Sequence, residues 1–239
     1  MAQMTNLQEK LHIQKTVMIT GATSGFGVYL ARAFAHARYA VVLHGRDEKK
    51  LHAVEDEISK TENVQCSTVV ADIRNKDGLD ALKTALRTHK VDIFINNAGI
   101  NPEFHRDITI SDVNDVVLTN MSSAITLCYG VFEYFTAREG GIIININSVA
   151  GLKGSSREAL YAASKFGLRG FSESVKDAWL KQGVRMIDVY SGAIATGMSS
   201  QRSDVSNLMD PQELATFLVG LCTTDSFFVR EVNVQKTHI

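Results

Sequence analysis

Thr20-Gly21-Ala22-Thr23-Ser24-Gly25-Phe26-Gly27 lies between an apolar run, residues 16–20, and a segment, 25–38, with the periodicity of a helix. Glycines on a strand-to-helix turn permit a tight reversal and let backbone approach a pyrophosphate, whose charge the helix N-terminus then stabilises. Gly21, Gly25 and Gly27 are spaced for that purpose. A glycine-rich turn alone can be no more than a connection. Its position on the first strand-helix junction of a repeating chain makes it a cofactor site.

The repetition extends to the C-terminus. Strands are predicted over 16–20, 40–44, 64–71, 91–95, 142–147, 184–190 and 227–234, and helices over 25–38, 47–60, 75–89, 111–138, 158–182 and 211–221. Asp47 and Ser111 are read as N-caps, Gly140, Gly141 and Gly183 as helix stops, and Pro211 as a first-turn residue. Apolar strands alternating with amphipathic helices specify an α/β fold with a doubly wound, parallel seven-stranded sheet and helices on both faces. With two prolines and no repeat or linker, residues 1–239 read as one domain, with 1–15 as an N-terminal extension.

Composition narrows the partners. The 239 residues are 45% hydrophobic, enough for a sizeable core, and the formal net charge of −1 favours neither nucleic acid nor an anionic membrane. The apolar runs 91–95 and 141–144 are strand-sized and too short to span a bilayer. Residues 1–15 are mixed polar and read as neither secretory signal nor transit peptide. Three scattered cysteines and seven histidines without ligand spacing predict no disulfide framework and no metal site. The expectation is a soluble cytoplasmic protein.

A second constellation carries chemistry. Tyr161 and Lys165 are four residues apart on a predicted helix, so both point to one side, and Ser148 precedes Tyr161 by thirteen residues. At roughly 4 Å an ammonium favours phenolate by about 1 kcal/mol in water and about 4 kcal/mol at a surface-like dielectric. That lowers a tyrosine pKa from about 10 by roughly one to three units, toward physiological pH.

These motifs resemble the short-chain dehydrogenase/reductase family in its compact one-domain, Rossmann-like subgroup. The resemblance spans about residues 16–196. It rests on the glycine turn, on Asn96-Asn97-Ala98-Gly99 after the fourth strand, and on Asn120, Ser148, Tyr161 and Lys165 in the order of the family's tetrad. It implies that Tyr161 gives a proton to the carbonyl oxygen as hydride arrives, or removes it in the oxidative direction. Lys165 would lower the phenol pKa and bind the nicotinamide ribose, Ser148 would orient the substrate oxygen, and Asn120 would hold a water relaying protons from Lys165. The cofactor set implied is Gly21, Thr23, Ser24, Gly25, Phe26 and Gly27 at the pyrophosphate, Asp72 and Ile73 at the adenine, and Asn97, Ala98 and Gly99 at the adenine ribose. Ile194 and Thr196 would meet the carboxamide, beside Tyr161 and Lys165. Helix capping is the competing reading of Asp72.

Cofactor choice turns on His44-Gly45-Arg46. Gly45 stands where NAD-selective relatives carry an acid, and Arg46 offers a planar fork suited to phosphate, so NADP(H) is favoured over NAD(H). His44 is read as a solvated strand end or an added donor. Ser24 departs from the basic residue of many NADP-selective relatives, and Ser191-Gly192 from the usual Pro-Gly, which should loosen that loop. Residues 197–210 read as a small substrate lid, and the tail 229–236 lacks the glycine-rich ending of the family's oxoacyl-thioester reductases. The implied function is interconversion of a small-molecule carbonyl and a secondary alcohol, by a homodimer or homotetramer joined through the helices 111–138 and 158–182. The alternative from another class is a non-catalytic dinucleotide-binding sensor or structural protein. An epimerase or dehydratase is disfavoured by the absence of a larger C-terminal domain.

Overall fold

Strands with apolar side chains on both faces must be covered on both faces, and this chain solves that with two helical layers around one sheet. The computed structural model describes residues 14–102, 107–199, 205–224 and 226–237. The strands β1 (Thr16–Thr20), β2 (Ala40–Gly45), β3 (Cys66–Val70), β4 (Ile93–Asn96), β5 (Gly141–Ser148), β6 (Val184–Ser191) and β7 (Glu231–Val234) form a seven-stranded sheet in the order β3-β2-β1-β4-β5-β6-β7. Every pairing is parallel. Between them run α1 (Phe26–His36), α2 (Glu48–Thr61), α3 (Lys76–Thr88), α4 (Ile110–Val117), α5 (Ser123–Thr136), α6 (Ala159–Leu180) and α7 (Pro211–Leu221).

Period-two alternation sorts the strand residues between two cores. Val17, Ile19, Ile93, Ile95, Ile142, Ile144, Ile187 and Val189 pack with α1, α2 and α7, whereas Met18, Phe94, Ile143 and Met186 pack with α3, α5 and α6. Asp47 caps α2 as the sequence implies, accepting from the Lys50 N–H. Asn75 caps α3 and Asp210 caps α7.

Three local features differ from the sequence reading. The helix predicted over 111–138 is capped by Thr109, in a capping box with Asp112, and not by Ser111. It is broken at Leu118–Ser122 by a turn of π-helix joining α4 to α5. This helical run, Ile110–Thr136, is long and apolar enough to cross a membrane by length and composition, although the strand-sized apolar runs are not. Here its residues Leu127, Cys128, Val131 and Phe135 are fully buried against the sheet. The last strand begins at Glu231, so residues 227–230 precede it. Ser191 is a buried ladder residue opposite Ser148 and Val234, and the Gly192 N–H donates to the Val234 carbonyl at 2.8 Å, so pairing holds the position where proline is usual. Of the extension at 1–15, only 14 and 15 fall among the described residues, and 200–204 of the lid segment lie outside them.

His44, at the end of β2, is buried and not solvated. Its Nε2 lies 3.1 Å from the Ala71 carbonyl oxygen and its Nδ1 3.4 Å from the Gly21 nitrogen. A carbonyl only accepts and an amide only donates, so the ring carries its proton on Nε2 and accepts at Nδ1. It thereby ties the ends of β1, β2 and β3. Burial pushes its pKa down to about 4. Protonation would also put a second N–H against that of Gly21.

The folded-state pKa lies below the unfolded value, so the unfolded chain binds the proton first. The stability is fully present above about pH 6.5 and is lost as pH falls toward 4. At about 1.36 kcal/mol per unit the loss by pH 4 is about 3 kcal/mol. Urea titrations between pH 7 and 4 should show this decline in the native protein and a flatter profile in His44→Gln. Equal slopes would refute the assignment.

Candidate active site

Parallel strands direct all the loops that follow them to one edge of the sheet, and the order reverses between β1 and β4, where such folds open a crevice. The glycine turn forms one side. Gly21 and Gly25 have φ of +71° and +59°, the left-handed region that favours glycine. A Cβ on Gly21 would lie 2.9 Å from the Ala98 Cα, and one on Gly27 only 2.2 Å from the Gly21 carbonyl oxygen. Helix α1 starts at Phe26 with no side chain capping its first N–H groups. Bare backbone donors at a helix N-terminus, in a cradle that side chains would fill, fit the pyrophosphate of a dinucleotide. Thr23, Ser24 and Phe26 lie on this turn.

Asn97-Ala98-Gly99 forms the other side and is joined to the turn by hydrogen bonds. The Thr20 Oγ1 accepts the Asn97 and Ala98 N–H groups at 2.9 and 3.0 Å. The Asn97 Nδ2 donates to the Thr20 and Gly21 carbonyls at 2.9 and 3.2 Å. The sequence reading took Thr20 only as the first letter of the turn.

At the end of β2, a Cβ on Gly45 would lie 2.3 Å from the Thr23 Cγ2. A side chain there would require the Thr23 side chain to shift. Arg46 is mostly exposed, and its Nη1 is 4.0 Å from the Asp72 Oδ2. Asp72 is held by Arg74, which donates from its backbone at 3.0 Å and its guanidinium at 2.7 Å, and this keeps the carboxyl below the usual range. Because Asn75 caps α3, capping is not the role of Asp72. The Ile73 side chain is buried in the core beneath α3.

The tetrad positions lie beyond the ends of β4 and β5, at the same edge of the sheet. Asn120 sits in the π turn, 1% exposed. Its Oδ1 accepts the Ile100 N–H at 2.8 Å, and its Nδ2 donates to the Ile100 carbonyl at 2.8 Å and to the Ser164 Oγ at 3.1 Å. Both amide hydrogens are committed, and one lone pair remains on the oxygen. Ser164 in turn donates to the Tyr161 carbonyl at 2.7 Å. Asn120 therefore clamps the loop after β4 to the turn of α6 that holds Tyr161 and Lys165, a link for which the sequence shows no signal beyond a serine before the lysine.

Lys165 is 4% exposed, with its Nζ donating to the Ile146 carbonyl at 2.8 Å and standing 5.6 Å from the centre of the Tyr161 ring. Burial pushes its pKa down to about 8, leaving it largely protonated at neutral pH. Ser148 ends β5, where its Oγ accepts the Ala150 N–H at 3.1 Å. The adjacent Asn147 accepts the Ser148 N–H at 2.9 Å and reaches the Lys165 carbonyl at 3.4 Å, so the end of β5 is tied to the same helix.

After β6, Ile194 bridges Met209, with Ala195 donating to the Met209 carbonyl and Met209 to the Ala193 carbonyl, each at 2.9 Å. This brings Thr196 opposite Gly25 beside a cavity of about 440 Å³, lined also by Tyr29 and Leu208. A smaller cavity of about 180 Å³ is lined by Asn101, Ile108, Val116, Glu158 and Tyr161 among others. Among the described residues no group of three potential ligands could hold a metal.

The chain is similar in sequence and fold to known proteins. Sulfoacetaldehyde reductase 2 of Chromohalobacter salexigens is 32% identical over 194 residues, covering 78% of this chain and 75% of its own. Among solved structures, a metagenomic short-chain oxidoreductase in complex with NADP is 28% identical with a TM-score of 0.82, over 94% of this chain and 98% of that one. A short-chain dehydrogenase from Sphingobium yanoikuyae in complex with NADPH is 27% identical with a TM-score of 0.81, over 91% and 87%. The family model for short chain dehydrogenases matches residues 15–206, most of the chain and both walls of the crevice, and the protein belongs to that family.

Proposed function

We propose that this oxidoreductase interconverts a carbonyl and a secondary alcohol with NADP(H), using Tyr161 as general acid and base. The observation that carries the reading is the clamp through Asn120 and Ser164. It holds the helical turn bearing Tyr161 and Lys165 against the loop after β4, at the same edge of the sheet as the glycine turn. A nicotinamide dinucleotide, when bound there, supplies or accepts the hydride. The chain's own residues bind and orient it through the N–H groups of the glycine turn, and Ser148 and Tyr161 hold the substrate oxygen. Tyr161 moves the proton to or from that oxygen, and Lys165, charged at neutral pH, favours the phenolate that remains. Positioning and proton transfer are thus the protein's contribution to rate.

The preference for NADP(H) rests on Gly45 and Arg46. The last position of β2 is Gly45 and not an acid, and Asp47, two residues on, caps α2. The Arg46 guanidinium, whose contact with Asp72 is long, supports that reading, because a mostly exposed planar fork suits a 2′-phosphate. Association through α5 and α6 belongs to the same proposal, because Tyr129 and Phe166 expose aromatic surface on those helices. A reducing, cytoplasmic setting agrees with three free cysteines.

Tyr161→Phe should retain NADPH binding, measured by fluorescence, and lose carbonyl reduction by roughly 100-fold or more, in line with the usual contribution of a general acid. Unchanged turnover would remove Tyr161 from the mechanism. Titration of both cofactors should show tighter binding of NADPH than NADH, with Arg46→Asp reducing or reversing the difference; equal affinities in the native protein would defeat the Arg46 argument. Sedimentation should give a dimer or tetramer that Phe166→Glu shifts toward monomer, and a monomeric native protein would contradict the interface.

A further inference from the structure

The cavity of about 180 Å³ beside Tyr161 has a wall built from the segment that leads into α6: Ser156, Arg157, Glu158, Ala159 and Leu160. Among the described residues that line it, Arg157 and Glu158 are the charged ones. They are differently engaged. The Glu158 Oε1 accepts from the Asn101 Nδ2 at 3.3 Å, which draws this acid to the loop after β4. The Arg157 guanidinium makes no ion pair and no hydrogen bond among the described residues, and it is exposed at the cavity four residues before the proton-transferring tyrosine. Helix α6 begins in the same wall with no side chain capping its first N–H groups, so the helix dipole adds positive potential to that of the arginine.

An unpaired guanidinium presents a planar fork of donors, a geometry that matches the oxygens of a carboxylate, sulfonate or phosphate. The cavity's size limits the rest of the molecule. At about 180 Å³ the cavity is the smaller of the two described, which suits a short carbonyl compound. Apolar surface from Ile108 and Pro102 suits a short carbon spacer. Building on the reductase reading above, we propose that the substrate is a small carbonyl compound with an anionic end, and that Arg157 is the specificity-determining residue that receives that end while Tyr161 meets the carbonyl oxygen.

The test compares succinic semialdehyde with its methyl ester, which share the aldehyde and differ in charge at the far end. With saturating NADPH, the native protein should favour the acid over the ester in kcat/KM by about 10-fold or more, the usual range for a charge-assisted hydrogen bond. Arg157→Met should abolish that preference, chiefly by raising KM for the acid, and should leave the ester's kcat/KM within about twofold. Arg157→Lys should restore part of it, because charge survives while the fork is lost. NADPH affinity, read by fluorescence, should be the same in all three proteins. Preference for the ester in the native protein, or an equal loss for acid and ester in Arg157→Met, overturns the proposal while leaving the reductase reading standing. Failure to turn over any member of a wider panel of small neutral and anionic carbonyls overturns both.

Discussion

The structure depends on two stretches of backbone coming closer than side chains allow. Gly21 meets Ala98 at a separation that a Cβ would violate, and Gly27 meets the carbonyl of Gly21 more closely still. Such contact places polar backbone groups against one another, and each must be satisfied. Thr20 resolves this by accepting two N–H groups from the opposite segment with one hydroxyl, while Asn97 returns two bonds from its amide. The crevice at the reversal of strand order is therefore fixed in width before any ligand arrives. Only then do the bare N–H groups at the start of α1 present a defined surface to an anion.

The rest of the site is suspended from this crevice by polar groups inside the protein. His44 binds the glycine turn to the end of β3, and Asn120 binds the loop after β4 to α6. Farther along the sheet, Asn96, Asn145 and Asp188 continue across β4, β5 and β6, with Lys176 of α6 placing its Nζ 2.6 Å from Asp188. Groups of this kind stabilise little in net terms when satisfied, yet each costs about 1–3 kcal/mol when one partner is removed. They specify one arrangement where apolar packing alone would tolerate several. In this protein the arrangement specified is the register of α6 relative to β4 and β5.

That distinction explains what was legible in the sequence. The parallel sheet and its two helical layers follow from period-two and helical patterning, and strand positions such as Ile93, Phe94 and Ile95 sort to opposite cores as alternation requires. The glycine turn and the candidate pair Tyr161 and Lys165 are legible because spacing survives in one dimension, whereas Asn120 enters as a candidate only through the family resemblance. Long-range polar partnerships are not. Nothing adjacent to His44 indicates that Ala71, 27 residues away, will accept its proton, so a solvated ring was the local expectation. The π turn around Asn120 was hidden because helix periodicity continues through it, and the Thr109 cap because Ser111 offers the same hydroxyl two residues later. Gly45 reads in the sequence as the absence of an acid; that a side chain there would press on the Thr23 methyl is a long-range contact the local sequence does not announce.

The pairing of Tyr161 with Lys165 is physically different from what their spacing suggests. On a helix surface the ammonium would keep its ordinary pKa and act on the phenol from a constant charge. In the folded protein Lys165 is buried, and its charge is held by the Ile146 carbonyl with a pKa brought down to about 8. Desolvation has two opposed consequences. It strengthens the field of the ammonium at the phenol, since the effective dielectric between them falls. It also makes that field conditional on a proton that the lysine gives up near the top of the physiological range. The same burial thus limits the pH interval over which Lys165 is charged, and whatever field it exerts at the Tyr161 phenol rises and falls with that proton.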